Sequence, residues 1–375
     1  MLSRTPPMGW NSWNTFGSEI TDQLIRETAD KLVSSGLAEA GYEYVVIDDC
    51  WALRERAEDG RMVPDPNKFP HGMRALSDYV HSKGLKFGMY SCAGYMTCAR
   101  YPGSFEFEYL DAQTFAEWGV DFLKYDYCFK PTYIPGQILY KRMAMALRNC
   151  GRDILFSACN WGCDSVEQWA RSSGIHMWRS TGDIEDNWKS IMSLYETQID
   201  KEAYGATGCF NDMDMLVVGM YGKGNVGIGG CTDIEYKTHF SLWSLMNSPL
   251  MIGADIRNLN QTSMDILLNK DLIALNQDEE CRQPYLVKDW SGQHKCIWIK
   301  PLSGGEYALG FFNFGDSKSD VQMNFWDIGL TAQSGFEIEL FEVWSKDTIR
   351  GLKTMHSVQL EAHDCAVYRA KLVKV

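Results

Sequence analysis

The chain has 375 residues, of which 45% are hydrophobic and 23% are charged, and its formal net charge is −13. This composition is typical of a globular protein with one large domain and a smaller one. Nucleic acids and anionic membranes attract basic surfaces, so the acidic balance argues against both as partners.

The first residues, MLSRTPPMGWNSW, lack the basic segment and apolar run of a secretory signal, which leads us to expect a cytoplasmic location. The twelve cysteines are scattered and lack the paired spacing of a zinc site. We therefore expect most of them to be free thiols.

Eight short apolar runs, each ending in polar residues, recur about every 35 residues along the first two thirds of the chain. They are MGWNSW (8–13), YVVIDD (44–49), FGMYS (87–91), FLKYD (122–126), ILFSACN (154–160), MWRSTGD (177–183), FNDMDM (210–215) and PLMIGAD (249–255). Helical patterns lie between them, beginning with one that Thr21 can cap. This alternation predicts an α/β fold, a (β/α)8 TIM barrel over residues 1–285.

Beyond the barrel the pattern changes. CIWIKPL, YALGFFNF, DVQMNFW, GFEIELFEVW, HSVQLEA and CAVYRAKLV read as strands separated by turn residues, without a helical pattern between them. The sequence therefore predicts a C-terminal antiparallel β-sandwich over residues 286–375.

Charged residues stand at the ends of the fourth and sixth predicted strands. Asp126 and Asp183 end alternate strands, and two carboxyl groups about 5–5.5 Å apart are what a retaining glycosidase requires. Lys124 shares a strand face with Asp126, and Arg179 precedes Asp183 by four residues. Structural ion pairs are the other interpretation, but desolvation makes buried charges costly for stability alone.

Asp48 and Asp49, followed by Trp51, form a second polar cluster that suits vicinal hydroxyl groups. A metal site would need more histidines or carboxylates in register, so we expect no metal. The segment GKGNVG (222–227) matches a dinucleotide-binding pattern, but it belongs to the seventh unit and no acidic residue ends a strand about twenty residues later. We interpret it as a flexible loop and expect no cofactor.

Long motifs then identify a resemblance. PPMGWNSWN, GYEYVVIDDCW, DPNKFPHGMRALSDYVHSKGLKFGMY, FLKYDYC, SACNWG, WRSTGDIEDNWKSI, NDMDMLVVG and PLMIGADIR span nearly the whole barrel. In these motifs the chain resembles the α-galactosidases of glycoside hydrolase family twenty-seven, which include lysosomal, plant and fungal enzymes. The resemblance implies a retaining, exo-acting hydrolase of terminal α-linked galactose, whose substrate is an oligosaccharide or glycoconjugate.

The resemblance also implies a role for each matching residue. Asp126 would be the nucleophile and Asp183 the acid/base. On electrostatic grounds we expect Lys124 to favour the ionised form of Asp126, while the acid role requires Asp183 to hold a proton. The implied sugar-binding residues are Asp48 and Asp49 for O4 and O6, Lys124 for O3, Arg179 for the O2 side, Trp13 and Tyr90 as pocket walls, and Met215 beside them. Cys98 and Cys128 would form a disulfide beside the site. Asn160, Trp161 and Cys163 would form the loop that reads the 2-position, and they favour galactose over N-acetylgalactosamine.

The sequence departs from the family in two places that affect cysteines. Ser18 and Ile175 stand where relatives have the partners of Cys50 and Cys159, so both thiols are expected to be free. Three alternatives stay open: a β-L-arabinopyranosidase, an α-N-acetylgalactosaminidase, and a catalytically silent sugar-binding barrel. The sequence leaves open whether the protein forms a homo-oligomer.

Overall fold

The computed structural model describes residues 2–375 and begins with a parallel eight-stranded barrel. Its strands are β1 (Met8–Asn11), β2 (Tyr44–Val46), β3 (Lys86–Cys92), β4 (Phe122–Asp126), β5 (Leu155–Ala158), β6 (Met177–Arg179), β7 (Phe210–Asp212) and β8 (Leu250–Ile252). Every predicted run overlaps one of these strands, which confirms the predicted barrel. The polar ends of the runs lie at or just beyond the carboxyl end of each strand.

Regular parallel pairing joins the strands in the order β7-β6-β5-β4-β3-β2-β1-β8. The gap between β7 and β8 is closed beyond the end of β7, where Leu216 pairs with Ile252. The Leu216 N–H donates to the Met251 carbonyl at 2.7 Å, and the Gly253 N–H donates to the Leu216 carbonyl at 2.8 Å. The closing seam therefore consists of one bridge rather than a ladder.

Helices surround the barrel and connect its strands. They are α1 (Trp13–Phe16), α2 (Asp22–Ser34), α3 (Gly72–Ser82), α4 (Glu108–Glu117), α5 (Gly136–Arg148), α6 (Val166–Trp169), α7 (Trp188–Glu196), α8 (Asp233–Leu245), α9 (Gln261–Leu267) and α10 (Lys270–Asn276). Thr21 caps α2 as predicted, because its hydroxyl accepts a hydrogen bond from the Leu24 N–H at 3.2 Å. None of the helices among residues 2–375 combines the length and the apolar character needed to span a membrane.

The rest of the chain forms two packed antiparallel sheets, which confirms the predicted second fold. Its strands are β9 (Tyr285–Trp290), β10 (Lys295–Pro301), β11 (Tyr307–Asn313), β12 (Ser319–Asn324), β13 (Phe336–Glu342), β14 (Thr348–Leu352), β15 (Met355–Leu360) and β16 (Cys365–Lys374). The six-stranded sheet has the order β14-β13-β16-β11-β10-β9, and β12 pairs with β15 to cover one of its faces.

The other face of the large sheet packs against the barrel. Trp298 of β10 belongs to the same apolar core as the barrel helices, and its indole N–H donates to the Tyr195 hydroxyl at 2.9 Å. Lys300 of β10 is fully buried in this interface and donates to the Asn247 side chain and to the Leu275 carbonyl. The shared core fixes the sandwich to the base of α7, α8 and α10.

Candidate active site

The carboxyl ends of the barrel strands open into a cavity of about 250 Å³. Ten of the residues predicted for the site line it: Trp13, Asp48, Asp49, Tyr90, Cys98, Lys124, Asp126, Arg179, Asp183 and Met215. The barrel thus brings together side chains that are up to 202 positions apart in the sequence, from Trp13 to Met215. Both candidate catalytic aspartates face the same space.

Asp126 is the last residue of β4 and is held by two donors. The Tyr90 hydroxyl donates to Oδ2 at 2.9 Å, and the Tyr127 backbone N–H donates to Oδ1 at 2.9 Å. Tyr90 lies on the neighbouring strand β3, with only 1% of its surface exposed. These contacts fix the carboxylate in one orientation at the floor of the cavity.

A disulfide between Cys98 and Cys128 joins the loops that follow β3 and β4, with a Cα–Cα distance of 5.1 Å. This agrees with the pairing that the resemblance implied. The Cys98 Sγ lies 3.5 Å from Asp126 Oδ2, so the bond forms part of the wall beside the carboxylate. Cys50 and Cys159 are free and buried, as expected from Ser18 and Ile175.

Asp48 and Asp49 follow β2 and have different hydrogen-bond partners. Lys124 Nζ and the Asn11 amide donate to Asp48 Oδ2 at 2.7 and 2.8 Å. Asp49 accepts hydrogen bonds from the backbone N–H groups of Ala99 and Cys50 at 3.0 and 2.7 Å. Both carboxyl groups are nearly buried yet border the cavity, where a hydroxyl group can reach them.

Arg179, the last residue of β6, forms ion pairs with two carboxylates that line the cavity. Its Nη2 donates to Asp183 Oδ1 and its Nη1 donates to Asp214 Oδ1, both at 2.8 Å. The guanidinium is buried, whereas 77% of the Asp183 side chain is exposed to the cavity and solvent. Asp214 was not among the predicted site residues, although it also lines the cavity.

The pKa values of the two candidate catalytic aspartates are shifted in opposite directions. Burial raises the pKa of Asp126 to about 6, although Lys124 and the Tyr127 N–H act in the lowering direction. Lys124 therefore favours the ionised form of Asp126, as expected, but burial outweighs this effect and the net shift of the pKa is upward. Lys124 pairs directly with Asp48, which holds the pKa of the lysine above its usual value even though burial opposes this.

Asp183 shows the reverse behaviour in the free site. Desolvation would raise its pKa, but the charge and hydrogen bond of Arg179 hold it below the usual value. The expected proton on Asp183 is thus not favoured before a ligand covers it. Burial raises the pKa of Asp212, below the cavity floor, to about 6.

Six carboxyl groups and two cationic side chains border the cavity. Such a surface repels anions. Hydroxyl groups suit it, because they donate to carboxylates and accept from lysine and arginine. The described residues contain a single grouping close enough to ligate a metal, Cys98, Asp126 and Cys128, and its two sulfurs are bonded to each other. A disulfide offers no thiolate to a metal.

Four predicted residues do not line the cavity. Cys128 stands behind Cys98 in the disulfide. Asn160 is fully buried and its amide donates to the Cys163 carbonyl at 2.6 Å. The Trp161 ring packs against Tyr127, with centroids 6.2 Å apart, and Cys163 is exposed. This loop after β5 lies beside the cavity wall rather than on it.

Sequence reasoning missed a further part of the wall, the glycine-rich loop of residues 222–230. Asn225, Val226 and Ile228 of this loop line the cavity. The N–H groups of Asn225 and Val226 each donate, at 3.0 Å, to carbonyls of α1. Gly224 has a φ of +89°, and a Cβ at this position would lie 2.8 Å from the Thr15 Cα. Glycine is therefore required for the loop to lie against α1.

Asp186 fastens the glycine-rich loop to the segment that carries Asp183. Its carboxylate accepts from the Gly222 N–H at 2.7 Å and from the Tyr236 hydroxyl at 2.8 Å. Its backbone N–H donates to the Val226 carbonyl at 2.9 Å, and its carbonyl accepts from the Gly230 N–H at 2.7 Å. Asn14, Ile184 and Glu185 complete the part of the wall that the sequence did not indicate.

Comparisons with known proteins agree with this architecture. The family model described as "Alpha galactosidase A" matches residues 5–278, and the model described as "Alpha galactosidase C-terminal beta sandwich domain" matches residues 292–370. The α-galactosidase of Cyamopsis tetragonoloba is 44% identical over 98% of this chain and 86% of its own length.

Solved structures give the same result. α-Galactosidase I from Mortierella vinacea superposes with a TM-score of 0.91 at 32% identity, covering 98% of this chain and 97% of that one. The Saccharomyces cerevisiae α-galactosidase solved with raffinose gives a TM-score of 0.87 at 29% identity, over 99% and 98% of the two chains. The chain therefore belongs to the α-galactosidase A family of glycoside hydrolases and carries that family's C-terminal β-sandwich.

Proposed function

We propose that this protein is a retaining α-galactosidase that hydrolyses terminal α-linked galactose by double displacement. The main support is that Asp126 and Asp183, from alternate barrel strands, border one cavity in opposite electrostatic settings. Retaining glycosidases use two such carboxyl groups, one as nucleophile and one as acid/base. The names of relatives that share the whole architecture support galactose as the sugar.

The groups around the two aspartates suit one hydroxylated ring. Asp48 and Asp49 would accept hydrogen bonds from the O4 and O6 hydroxyls, and Lys124 would donate to O3. Arg179 would serve the O2 side, while Trp13 and Tyr90 would pack against the ring. Asp48 and Lys124 are bonded to each other at 2.7 Å, so both can contact neighbouring hydroxyls without moving far. Such preorganisation lowers the entropic cost of binding.

In the first step the Asp126 carboxylate attacks the anomeric carbon, and the bond to the leaving oxygen breaks as Asp183 gives that oxygen a proton. In the second step Asp183 removes a proton from water, which attacks the same carbon and releases galactose and Asp126. Asp183 needs a proton at the start, and the bound sugar would favour this by covering its exposed side chain, since desolvation raises the pKa of a carboxyl group. Loss of the Asp126 charge in the covalent intermediate would then favour ionised Asp183.

Azide rescue tests the nucleophile. Asp126→Ala is expected to lose at least about 10⁴-fold in kcat, a loss typical of a missing nucleophile. Azide should restore part of the rate with aryl α-galactosides and yield β-galactosyl azide, because it attacks from the face that Asp126 occupied. Full activity of the variant, or an azide product of α configuration, would contradict the assignment.

Leaving-group dependence tests the acid/base. Asp183→Ala should lose most of its rate on melibiose, whose leaving alcohol needs a proton, and much less on a dinitrophenyl α-galactoside. Equal losses on both substrates would rule out the acid role. Asp233→Ala is the matched control, because this aspartate lies at the start of α8 and does not line the cavity.

A substrate panel tests the choice of sugar. Nitrophenyl α-galactoside should give a higher kcat/KM than nitrophenyl α-N-acetylgalactosaminide or β-L-arabinopyranoside. Arabinopyranose lacks the O6 arm that Asp49 would hold, so Asp49→Ala should reduce turnover of the galactoside more than turnover of the arabinopyranoside. A preference for either rival sugar would reject galactose as the natural substrate class.

A further inference from the structure

A second and larger cavity, of about 500 Å³, lies at the opposite end of the barrel. It is bordered by α5, by the turn of residues 171–174, and by the residues at the amino ends of β5 and β6. It shares no lining residue with the candidate active site. Its volume falls within the range of about 300–1,000 Å³ that is usual for small-molecule sites.

The wall of this basal cavity is basic, although the protein is acidic. Lysine and arginine account for 36 of the 375 residues, but for four of the fifteen that line the cavity. These four are Lys141, Arg148, Arg152 and Arg171, and Asp153 is the one carboxylate among the described lining residues. A local excess of cations in a chain of net charge −13 creates an attractive field for an anion.

Three of these cations have no internal partner. Lys141, Arg148 and Arg171 make no ion pair or side-chain hydrogen bond with any residue between positions 2 and 375. Lys141 and Arg148 are seven positions apart on α5, which places them two turns apart on the same face. Arg152 is anchored, since Nε donates to the Val120 carbonyl at 2.8 Å and Nη2 pairs with Asp121. The rim therefore combines one fixed guanidinium with three adaptable cations.

Two further donors lie in the wall and are independent of the cations. Ser173 is only 5% exposed, and its hydroxyl has no hydrogen-bond partner within the described chain. His176 Nδ1 accepts from the Phe156 N–H at 3.0 Å, so the neutral ring must carry its proton on Nε2. Burial lowers the pKa of His176, which keeps the ring neutral at pH 7. The His176 Nε2–H can donate to a ligand oxygen that enters the cavity, and the Ser173 hydroxyl, which is covered in this conformation, can do so once it rotates toward the cavity.

The rest of the wall is apolar. Leu2, Ala144, Met145, Ile154 and Phe156 contribute side chains to it. A free inorganic ion would contact only the polar part of this surface. A phosphate monoester carries a charge near −2 at pH 7 and presents three acceptor oxygens to arginine and lysine. An attached ring or short carbon chain would cover the apolar part.

We propose that the basal cavity between α5 and the 171–174 turn is a second binding site, which takes a small organic phosphate. Arg148, Arg152 and Arg171 bind the phosphate oxygens, Ser173 and His176 donate to it, and the apolar residues hold the organic group. Because the site lies at the end of the barrel where catalytic residues are not placed, its ligand acts through stability or conformation rather than chemistry. The proposal is independent of the proposed hydrolase function.

Calorimetric titration of the full chain tests the site, with phenyl phosphate, inorganic phosphate and phenol as probes at fixed ionic strength. Phenyl phosphate should bind, and inorganic phosphate should bind more weakly because it lacks an apolar group. Phenol should not bind. Equal affinities for the two phosphates would overturn the role of the apolar wall and assign the site to free phosphate instead. Phenol binding as tightly as phenyl phosphate would overturn the role of the cations.

Charge-reversal variants assign the binding to this cavity. The double variant Arg148→Glu, Arg171→Glu should weaken phenyl phosphate binding by at least about tenfold, as expected for lost charge-assisted contacts. Ser173→Ala should weaken it several-fold and tests the cavity without changing any charge. Lys353→Glu, at an exposed cation of the sandwich, is the matched control and should bind like the unmodified protein.

Hydrolysis of nitrophenyl α-galactoside should be unchanged in all of these variants, and circular dichroism checks that they are folded. Absence of binding to the unmodified protein at millimolar phenyl phosphate would overturn the proposal. Unchanged affinity in both the double variant and Ser173→Ala would overturn it as well. An equal loss in Lys353→Glu would show only a general dependence on net charge, which also contradicts a site at this cavity.

Discussion

Tyr90→Phe perturbs the proposed nucleophile with little change in shape, because it removes one hydroxyl group. That hydroxyl donates to Asp126 Oδ2 at 2.9 Å in a nearly water-free setting. A hydrogen bond to a charged group contributes about 1.5–3 kcal/mol, and one pKa unit corresponds to about 1.4 kcal/mol. Part of this energy is retained by the neutral carboxyl group, so we expect the pKa of Asp126 to rise by about one unit.

The consequence is a shift in the acid limb of the pH profile of kcat/KM. The pKa of Asp126 lies at about 6 in the unmodified site, so its ionised fraction falls as the pH drops below that value. A rise of about one unit would reduce kcat/KM about tenfold near pH 5 but hardly at all through ionisation near pH 8. The limb reports the titration of the coupled pair in the free enzyme.

The assay is the hydrolysis of nitrophenyl α-galactoside between about pH 4 and 9, with kcat/KM fitted at each pH. Tyr42→Phe is the matched control, because it removes a buried hydroxyl that donates to the Leu267 carbonyl far from the cavity. Its acid limb should not move. A loss of activity in Tyr90→Phe that is equal at every pH, with an unshifted limb, would refute the argument that this hydroxyl sets the ionisation of Asp126.

Three further predictions concern the supports of the site and the interface with the sandwich. Asp186→Ala removes two hydrogen bonds that a buried carboxylate accepts, so it should lower the free energy of unfolding by about 3 kcal/mol in urea titrations. It should also speed amide exchange in the glycine-rich loop. Unchanged exchange there would contradict the anchoring role of Asp186. An alanine at position 224 cannot adopt the loop conformation without strain. In Gly224→Ala, KM for nitrophenyl α-galactoside should therefore rise several-fold while the circular dichroism spectrum stays the same. An unchanged KM would show that the loop does not contact the substrate. Burial lowers the pKa of Lys300 from 10.5 to about 7, so the unfolded chain binds more protons than the folded one between these values and stability rises with pH across that window. Lys300→Met should remove up to about 1.4 kcal/mol of this rise per pH unit in urea titrations between pH 7 and 9, and identical slopes for both proteins would contradict it.

The barrel and most of the cavity could be predicted because the barrel topology places the carboxyl ends of all strands at the same end. Once eight βα units are recognised, the carboxyl ends of the strands must lie together, so Asp126, Arg179 and Asp183 share a cavity whatever the details of packing. The polar tails of the runs were enough to name these residues. The disulfide and the sugar-binding roles came from the resemblance and not from spacing.

Loop side chains could not be predicted in the same way. The direction of Val226 or Ile228 depends on the anchoring of the glycine-rich loop by Asp186 and α1, which no local pattern encodes. In the loop that contains Asn160 and Trp161, side chains that were predicted to line the cavity do not line it. Asn160 is buried and Trp161 packs on Tyr127. The net rise in the pKa of Asp126 could not be predicted from Lys124 alone, because it depends on the depth of burial, which outweighs the nearest charge.

Not every strand of the sandwich could be predicted from the alternation of polar and apolar residues. Six of its strands were predicted, but β9 and β14 were not. β14 lies at the edge of the large sheet, and its burial pattern shows no core-facing side chain that is fully buried. An edge strand of this kind gives no alternation between polar and apolar residues, so only its hydrogen-bonded neighbour β13 reveals it.

The single bridge between Leu216 and Ile252 makes the barrel wall uneven in strength. β7 leaves the regular pairing after Asp212, and Asp214 then adopts a φ of +80° where it accepts the Arg179 guanidinium. Backbone that is bent to present a carboxylate cannot also form a continuous ladder with β8. When the protein is heated or stretched, the barrel should therefore begin to open between β7 and β8, before the well-paired strands β2 to β5 separate. The ion pair between Arg179 and Asp214, which completes the site, thus also marks where the barrel first opens.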